Sequence, residues 1–133
     1  MTDFRFQREE RLKSQKIIGS LFKDGQSFGQ YPLRLIWKPL EDTNSGALIQ
    51  FTVSVAKKKF PHAVDRNRLR RQVREAYRLQ KHLLIERLDP EKSGYAIMAL
   101  YTAKEPLPYA EIFQSMERAL RRLAKVLNQT NAS

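Results

Sequence analysis

Apolar and polar positions alternate with two different periods along this chain, and the changes of period mark its elements. In residues 11–25, RLKSQKIIGSLFKDG, Ile17, Ile18, Leu21 and Phe22 recur at helical spacing. Ser14 is placed to cap that helix, since its hydroxyl can accept an orphan backbone N–H, and Gly25 suits the position just past the helix end. Residues 28–40, FGQYPLRLIWKPL, switch to a period of two. Leu33, Leu35 and Trp37 alternate with Arg34, Ile36 and Lys38. Pro32 and Pro39 confine this strand to a sheet edge or mark its ends. EDTNSG at 41–46 is a turn by composition, and ALIQFTVSV at 47–55 sets Ile49, Phe51, Val53 and Val55 on one face of a second strand. Together these segments predict an antiparallel hairpin.

Residues 56–63, AKKKFPHA, read as a loop, because Pro61 disfavours helix at Phe60. A long helix is predicted from about residue 63 to residue 88, ending before Asp89-Pro90. GYAIMALY at 94–101 has the apolar run of a buried strand, and TAKEPLP after it is a loop. Pro108 can open a last helix at its first turn, where Ile112, Met116, Leu120, Leu123 and Leu127 make an amphipathic core face. The order is α-β-β-(β)-α-β-α, an α+β fold with one sheet of about four strands and helices packed on it. The 133 residues suit a single domain over 1–133, with flexible ends at about 1–10 and 128–133.

Composition narrows the function. There is no Cys, which excludes disulfides and Cys-ligated metals. His62 and His82 are isolated, and neither has a partner at ligand spacing, so no protein metal site is predicted. The N-terminal MTDFRFQREERLKSQK lacks the apolar core of a secretory signal, and no stretch approaches the ~20 apolar residues that span a bilayer. The reading is a soluble cytoplasmic protein without membrane association. Lys and Arg total 25 against 14 Asp and Glu, a formal net charge of +11. Such an excess points to a polyanionic partner, nucleic acid ahead of an acidic membrane surface.

Clustering sharpens that reading. In residues 57–78, KKKFPHAVDRNRLRRQVREAYR, nine of 22 residues are Lys or Arg, opposed only by Asp65 and Glu75. On a wheel of about 100° per residue, Leu69, Val73, Ala76 and Tyr77 form the core stripe. Arg70, Arg74 and Arg78 follow its flank at i+4 steps, Asn67 and Arg71 widen the flank, Arg66 sits in the first turn, and Arg68 and Glu75 lie opposite. Like charges at i,i+4 destabilise a helix by a few tenths of a kcal/mol each. Cations near a helix N-terminus also oppose its dipole, whereas phosphate is favoured there. Arg adds a planar fork that binds phosphate bidentately. A solvated helix face is the plain alternative, and uncompensated repulsion counts against it. Calmodulin-target and membrane-surface helices need an exposed apolar face, which Leu69, Val73 and Tyr77 assign to the sheet.

The pattern AxxRNRxxRxxRE, here Ala63, Arg66, Asn67, Arg68, Arg71, Arg74 and Glu75, resembles the RNR signature of the bacterial ribonuclease P protein component. SVAKKK at 54–59 is similar to that family's strand end and lysine loop, and the order of motifs matches from about residue 11 to residue 127. The resemblance implies a left-handed β–α–β crossover around the RNR helix. It implies a protein subunit of an endoribonuclease that matures the 5′ end of tRNA, with the chemistry in a catalytic RNA that uses Mg²⁺. The implied partners are that catalytic RNA and precursor tRNA, with no protein partner. Carried over by position, Arg66, Asn67, Arg68, Arg70, Arg71 and Arg74, with Lys57, Lys58 and Lys59 of the loop, face RNA. Ile18, Phe22 and Trp37 line a cleft for the 5′ leader between the first helix and the sheet. Alternation allows only one of Ile36 and Trp37 into that cleft, and Trp37 is the better platform. Phe60-Pro61-His62 stands where the family often has Gly. Read without the family, Phe22 and Trp37 are core residues before they are platforms.

No catalytic residue is predicted in the protein. The sequence has no Ser-His-Asp order, P-loop or HExxH, and its acids lie in polar ends and loops rather than as a converging pair. Two further readings remain open: a structural RNA-binding protein of ribosomal type with no role in cleavage, and a protein-only nuclease.

Overall fold

The computed structural model describes residues 10–40, 48–88 and 94–131. Its elements are α1 (Gln15–Asp24), β1 (Gln26–Gln30), β2 (Leu33–Pro39), β3 (Ile49–Val55), α2 (Ala63–Gln80), α3 (His82–Ile85), β4 (Tyr95–Tyr101) and α4 (Tyr109–Asn131). None of the helices is long and apolar enough to cross a membrane, among the described residues.

The segment YAIMALY has apolar side chains on both of its faces, so it needs cover on both. It becomes β4 and takes an inner position in a sheet ordered β1-β2-β4-β3. It runs antiparallel to β2, with Trp37 opposite Ile97, and parallel to β3, with Phe51 opposite Ile97. This corrects the hairpin expected between residues 28–40 and 47–55. β2 and β3 are not neighbours, because β4 lies between them. The turn at 41–46 falls outside the described residues.

The strand expected over residues 28–40 is itself a hairpin. β1 pairs antiparallel with β2, Phe28 opposite Leu35, and the chain reverses at a cis Tyr31–Pro32 peptide. Pro32 therefore occupies the turn, and its carbonyl accepts from the Thr102 backbone N–H at 2.8 Å and from Thr102 Oγ1 at 3.0 Å. The helix expected over 63–88 divides at Lys81 into α2 and the single turn α3. Its expected stop at 89–90 is outside the described residues. β3, α2, α3 and β4 form a crossover between adjacent parallel strands.

The sheet carries helices on both faces. On one, Leu35 and Trp37 of β2, Phe51 and Val55 of β3 and Ile97 of β4 pack against α2 and α4. On the other, Ile36, Leu40, Ala96 and Met98 pack against Leu12 and Leu21, with Ile17 and Ile18 partly buried beside them. α1 begins at Ser14, whose Oγ accepts from the Ile17 N–H at 3.3 Å. It ends at Gly25, where the requirement is space. The backbone there is extended, and a Cβ would stand 2.5 Å from the Leu21 carbonyl oxygen and 2.7 Å from Ile36 Cγ2.

The expected flexible ends fall mostly on residues 1–9 and 132–133, outside the described residues. Glu10 is buried, and its carboxylate lies 2.7 Å from Lys81 Nζ. Residues 128–131 continue α4.

Candidate nucleic-acid interface

α2 buries Leu69, Val73, Ala76, Tyr77 and Gln80, the stripe that its apolar spacing dictates. Tyr77 lies flat on Phe51 of β3, with ring centroids 3.9 Å apart and planes 3° from parallel. That stack fixes the rotation of α2 on the sheet and thereby turns its arginines outward.

The loop before α2 is held from inside. Phe60 is buried and meets Tyr101 edge-on at 5.8 Å, and the N–H groups of Lys59 and Phe60 both donate to the Ala56 carbonyl. Phe60 thus serves as a plug for the loop. Lys57, Lys58 and Lys59 are exposed around it, with Lys59 Nζ donating to the Thr102 carbonyl at 2.9 Å. Arg66 Nη1 donates to the carbonyls of Phe60 at 2.8 Å and Pro61 at 2.9 Å. Part of its donor fork therefore stabilises the loop.

Arg68 and Arg71 are exposed, and Arg70 Nη1 donates to Asn67 Oδ1 at 3.1 Å. Arg74 is half-buried. Burial lowers its pKa, and the positive charges of Arg11 and Arg70 lower it further. Among the described residues, no ion pair involves Arg66, Arg68, Arg70, Arg71 or Arg74. Arg78 differs: its Nε and Nη2 donate to the two oxygens of Glu75 at 3.0 and 2.5 Å. That fork holds the Glu75 carboxyl below the usual carboxylate range, against a smaller opposing effect of burial. The i,i+3 spacing of this pair was legible in the sequence, yet a wheel drawn for the apolar stripe set Glu75 apart.

On the other face, Phe22 is 59% exposed on α1, and Ile18, one turn before it, is half-buried. Trp37, expected in the cleft, is only 5% exposed and belongs to the core on the α2/α4 face, 5.4 Å from Phe28. Ile36 is the β2 residue beneath α1. The pleat sends these neighbours to opposite faces, and the bulkier ring fills the deeper core. A cavity of about 340 Å³ runs beside α1, lined by Lys16, Ile17, Ser20, Lys38, Pro39, Leu40 and Ala96.

The arginine flank and the Phe22 surface thus belong to helices on opposite faces of the sheet, and β3 is its edge on the α2 side. Along that edge the Leu12 N–H donates to the Phe51 carbonyl at 3.0 Å, and Arg11 makes a parallel bridge with Phe51. No helical or strand period announces Arg11, and the sequence reading passed over it. Among the described residues, no three His, Asp or Glu side chains converge as a metal site.

A model of the Ribonuclease P family matches residues 6–124. The Ribonuclease P protein component of Porphyromonas gingivalis is 40% identical over 122 residues, covering 91% of this chain and 88% of the relative. That of Chlorobaculum tepidum is 34% identical over 115 residues, covering 81% and 75%. The solved RNase P protein of Thermotoga maritima superposes with a TM-score of 0.66 at 21% identity, over 85% of this chain and 96% of that one. The structure of the Staphylococcus aureus RNase P protein does so with a TM-score of 0.66 at 22% identity, over 88% and 96%. These two likenesses show the same fold.

Proposed function

This chain belongs to the ribonuclease P protein family, and from that premise we propose that its arginine flank holds the catalytic RNA while the α1 face receives the 5′ leader of precursor tRNA. As a member it is the protein subunit of the ribonuclease P holoenzyme, the endoribonuclease of tRNA 5′ processing, and works with the ribonuclease P RNA. The holoenzyme acts in the cytoplasm.

One observation carries the reading of the surface. Arg66, Arg68, Arg70, Arg71 and Arg74 project from one helix with no carboxylate to neutralise them among the described residues. Their mutual repulsion is relieved when phosphodiesters dock and release condensed counterions. Lys57 and Lys58 extend this surface through the loop, and Asn67 orients Arg70. On the other face, exposed Phe22 offers a ring on which a leader base can stack, with Ile18 one turn before it on α1.

Mg²⁺ supplies electrophilic assistance to phosphodiester cleavage when bound. The resemblance assigns the metal to the RNA, and no step here passes through a protein-held ion. The role of the protein is binding and positioning.

Reconstitution tests this. The full chain alone should cut nothing, and with its catalytic RNA it should restore leader removal at physiological Mg²⁺. RNA binding without such rescue would favour a purely structural RNA-binding protein, and metal-dependent cutting by the RNA-free chain would favour a protein-only nuclease.

A further inference from the structure

Arg11, Arg70 and Arg74 come from segments about sixty residues apart in sequence, and we infer that they form one phosphodiester-binding site at the β3 edge. The inference rests on the RNA-binding reading above and extends it to a residue outside the RNR helix.

Four contacts place Arg11 there. Its strand bridge to Phe51 and the Leu12 N–H bond to the Phe51 carbonyl seat residues 11 and 12 on the outer edge of β3. Phe51 in turn carries the ring of Tyr77, one turn along α2 from Arg74. One turn further, Lys81 Nζ grips the Glu10 carboxylate at 2.7 Å, and both side chains are nearly buried, at 5% and 12% exposed. A buried ion pair across two segments offers little net stability but fixes register, since either charge left alone in that site is costly. Glu10–Lys81 therefore acts as a latch that sets the neighbouring Arg11 beside α2. The positive fields of Arg11 and Arg70 both bear on the half-buried Arg74 guanidinium. Three cations gathered in this way, one of them partly desolvated, suit a single anionic group with several acceptor oxygens.

The site sits where the two faces of the sheet meet, so the phosphodiester could belong to the catalytic RNA or to the leader. The experiment separates them. Full-length Arg11→Ala, Arg70→Ala, Arg74→Ala and the Arg11/Arg74 double variant are titrated against the catalytic RNA across a salt series. The reconstituted holoenzymes are then titrated with precursor tRNA bearing or lacking a leader. Each single change should lower affinity for one of these RNAs by about tenfold, the scale of a charge-assisted hydrogen bond. It should also flatten the log–log salt slope by roughly 0.7–0.9. The double variant should lose less than the product of the two single losses, because both arginines serve one phosphate. A loss confined to leader-bearing substrate assigns the site to the leader, and a loss with catalytic RNA alone assigns it there. Multiplicative losses would overturn the shared site, as would an Arg11→Ala chain that binds both RNAs with unchanged affinity and slope while Arg70→Ala and Arg74→Ala bind more weakly. If all three arginine changes are silent, the RNA-binding reading of α2 itself fails. The latch is tested by Glu10→Gln with Lys81→Met, which removes both buried charges together. This chain should unfold cooperatively and reproduce the RNA defect of Arg11→Ala, and RNA binding at the parental level would overturn the positioning role. Arg11→Lys should recover part of the salt slope, because it keeps the charge, without the full affinity of the planar fork.

Discussion

Ile36 and Trp37 are consecutive in β2 and stand on opposite sides of the sheet, Ile36 beneath α1 and Trp37 in the core under α2 and α4. The exposed aromatic on the α1 face is Phe22, one turn after Ile18. Phe22→Ala should therefore leave thermal unfolding nearly unchanged and weaken holoenzyme binding to leader-bearing precursor tRNA by about 1–3 kcal/mol. Substrate lacking the leader should bind as before. Trp37→Ala should do the reverse and cost about 3–5 kcal/mol of fold stability through the cavity it leaves. Denaturant titration of both variants checks the pair.

Arg70 and Arg74 flank the buried stripe of α2 without belonging to it. Replacing both with Ala should keep the far-ultraviolet circular dichroism of the chain and reduce affinity for the catalytic RNA by at least about tenfold, on the scale of ~1.5–3 kcal/mol for a charged hydrogen bond, and by less than the product of the two single losses. The parent chain, if it neutralises six or more phosphates, should lose about three orders of magnitude in affinity between ~50 and ~200 mM salt. A flat salt response would remove the role proposed for the flank, and loss of the folded spectrum in the double variant would make the arginines structural.

Glu75 occupies the fork of Arg78 and so withholds one cation from RNA. The folded carboxyl titrates below its unfolded value of about 4.3, chiefly because of the Arg78 hydrogen bonds. The contribution of the pair is therefore complete above the unfolded pKa and is lost as pH falls through the folded one. At neutral pH, Glu75→Gln should release Arg78, raise RNA affinity and steepen the salt slope by roughly 0.7. Thermal unfolding of the parent chain and of Glu75→Gln should differ at pH 7 and converge below the carboxylate range.

Gly25 leaves α1 against β2 with no room for a methyl group. Gly25→Ala should destabilise the chain by about 1–3 kcal/mol through overpacking, because the Leu21 backbone and Ile36 must move apart. Since α1 carries Phe22, leader affinity should fall with it, while affinity for catalytic RNA alone should stay close to that of the parent chain. Urea unfolding and the two binding titrations check this together.

Arg66 braces the loop that carries the three lysines. Arg66→Ala removes two hydrogen bonds to the Phe60 and Pro61 carbonyls, each worth about 0.5–1.5 kcal/mol. Amide exchange should quicken at Lys59 and Phe60, whose N–H groups donate to the Ala56 carbonyl, and stay slow along α2. Arg66→Lys should restore only part of the protection, because its ammonium can donate to two carbonyls but sits on a shorter side chain than Arg66 Nη1.

Much of what local geometry governs was legible in the chain, although the reversal at Tyr31–Pro32 and the break at Lys81 were not. The Ser14 cap, the Leu69–Val73–Ala76–Tyr77 stripe, the arginine flank beside it and the core face of α4 follow from helical spacing, which the backbone imposes over a few residues. The RNR pattern and the lysine loop are likewise contiguous, so the family could be read from them. What depended on distant partners could not. Alternation said that Ile36 and Trp37 part company but not which faces which core, because both are apolar and either face would accept either. Strand order was misjudged because adjacency in sequence favours a β2–β3 hairpin, whereas burial of both faces of β4 requires it to sit between them. Arg11 acquires its neighbours only when Glu10 meets Lys81 and residues 11–12 join the edge of β3. Short-range periodicity is written into covalent geometry, while the choice among faces, edges and distant charges is made by burying the whole core at once.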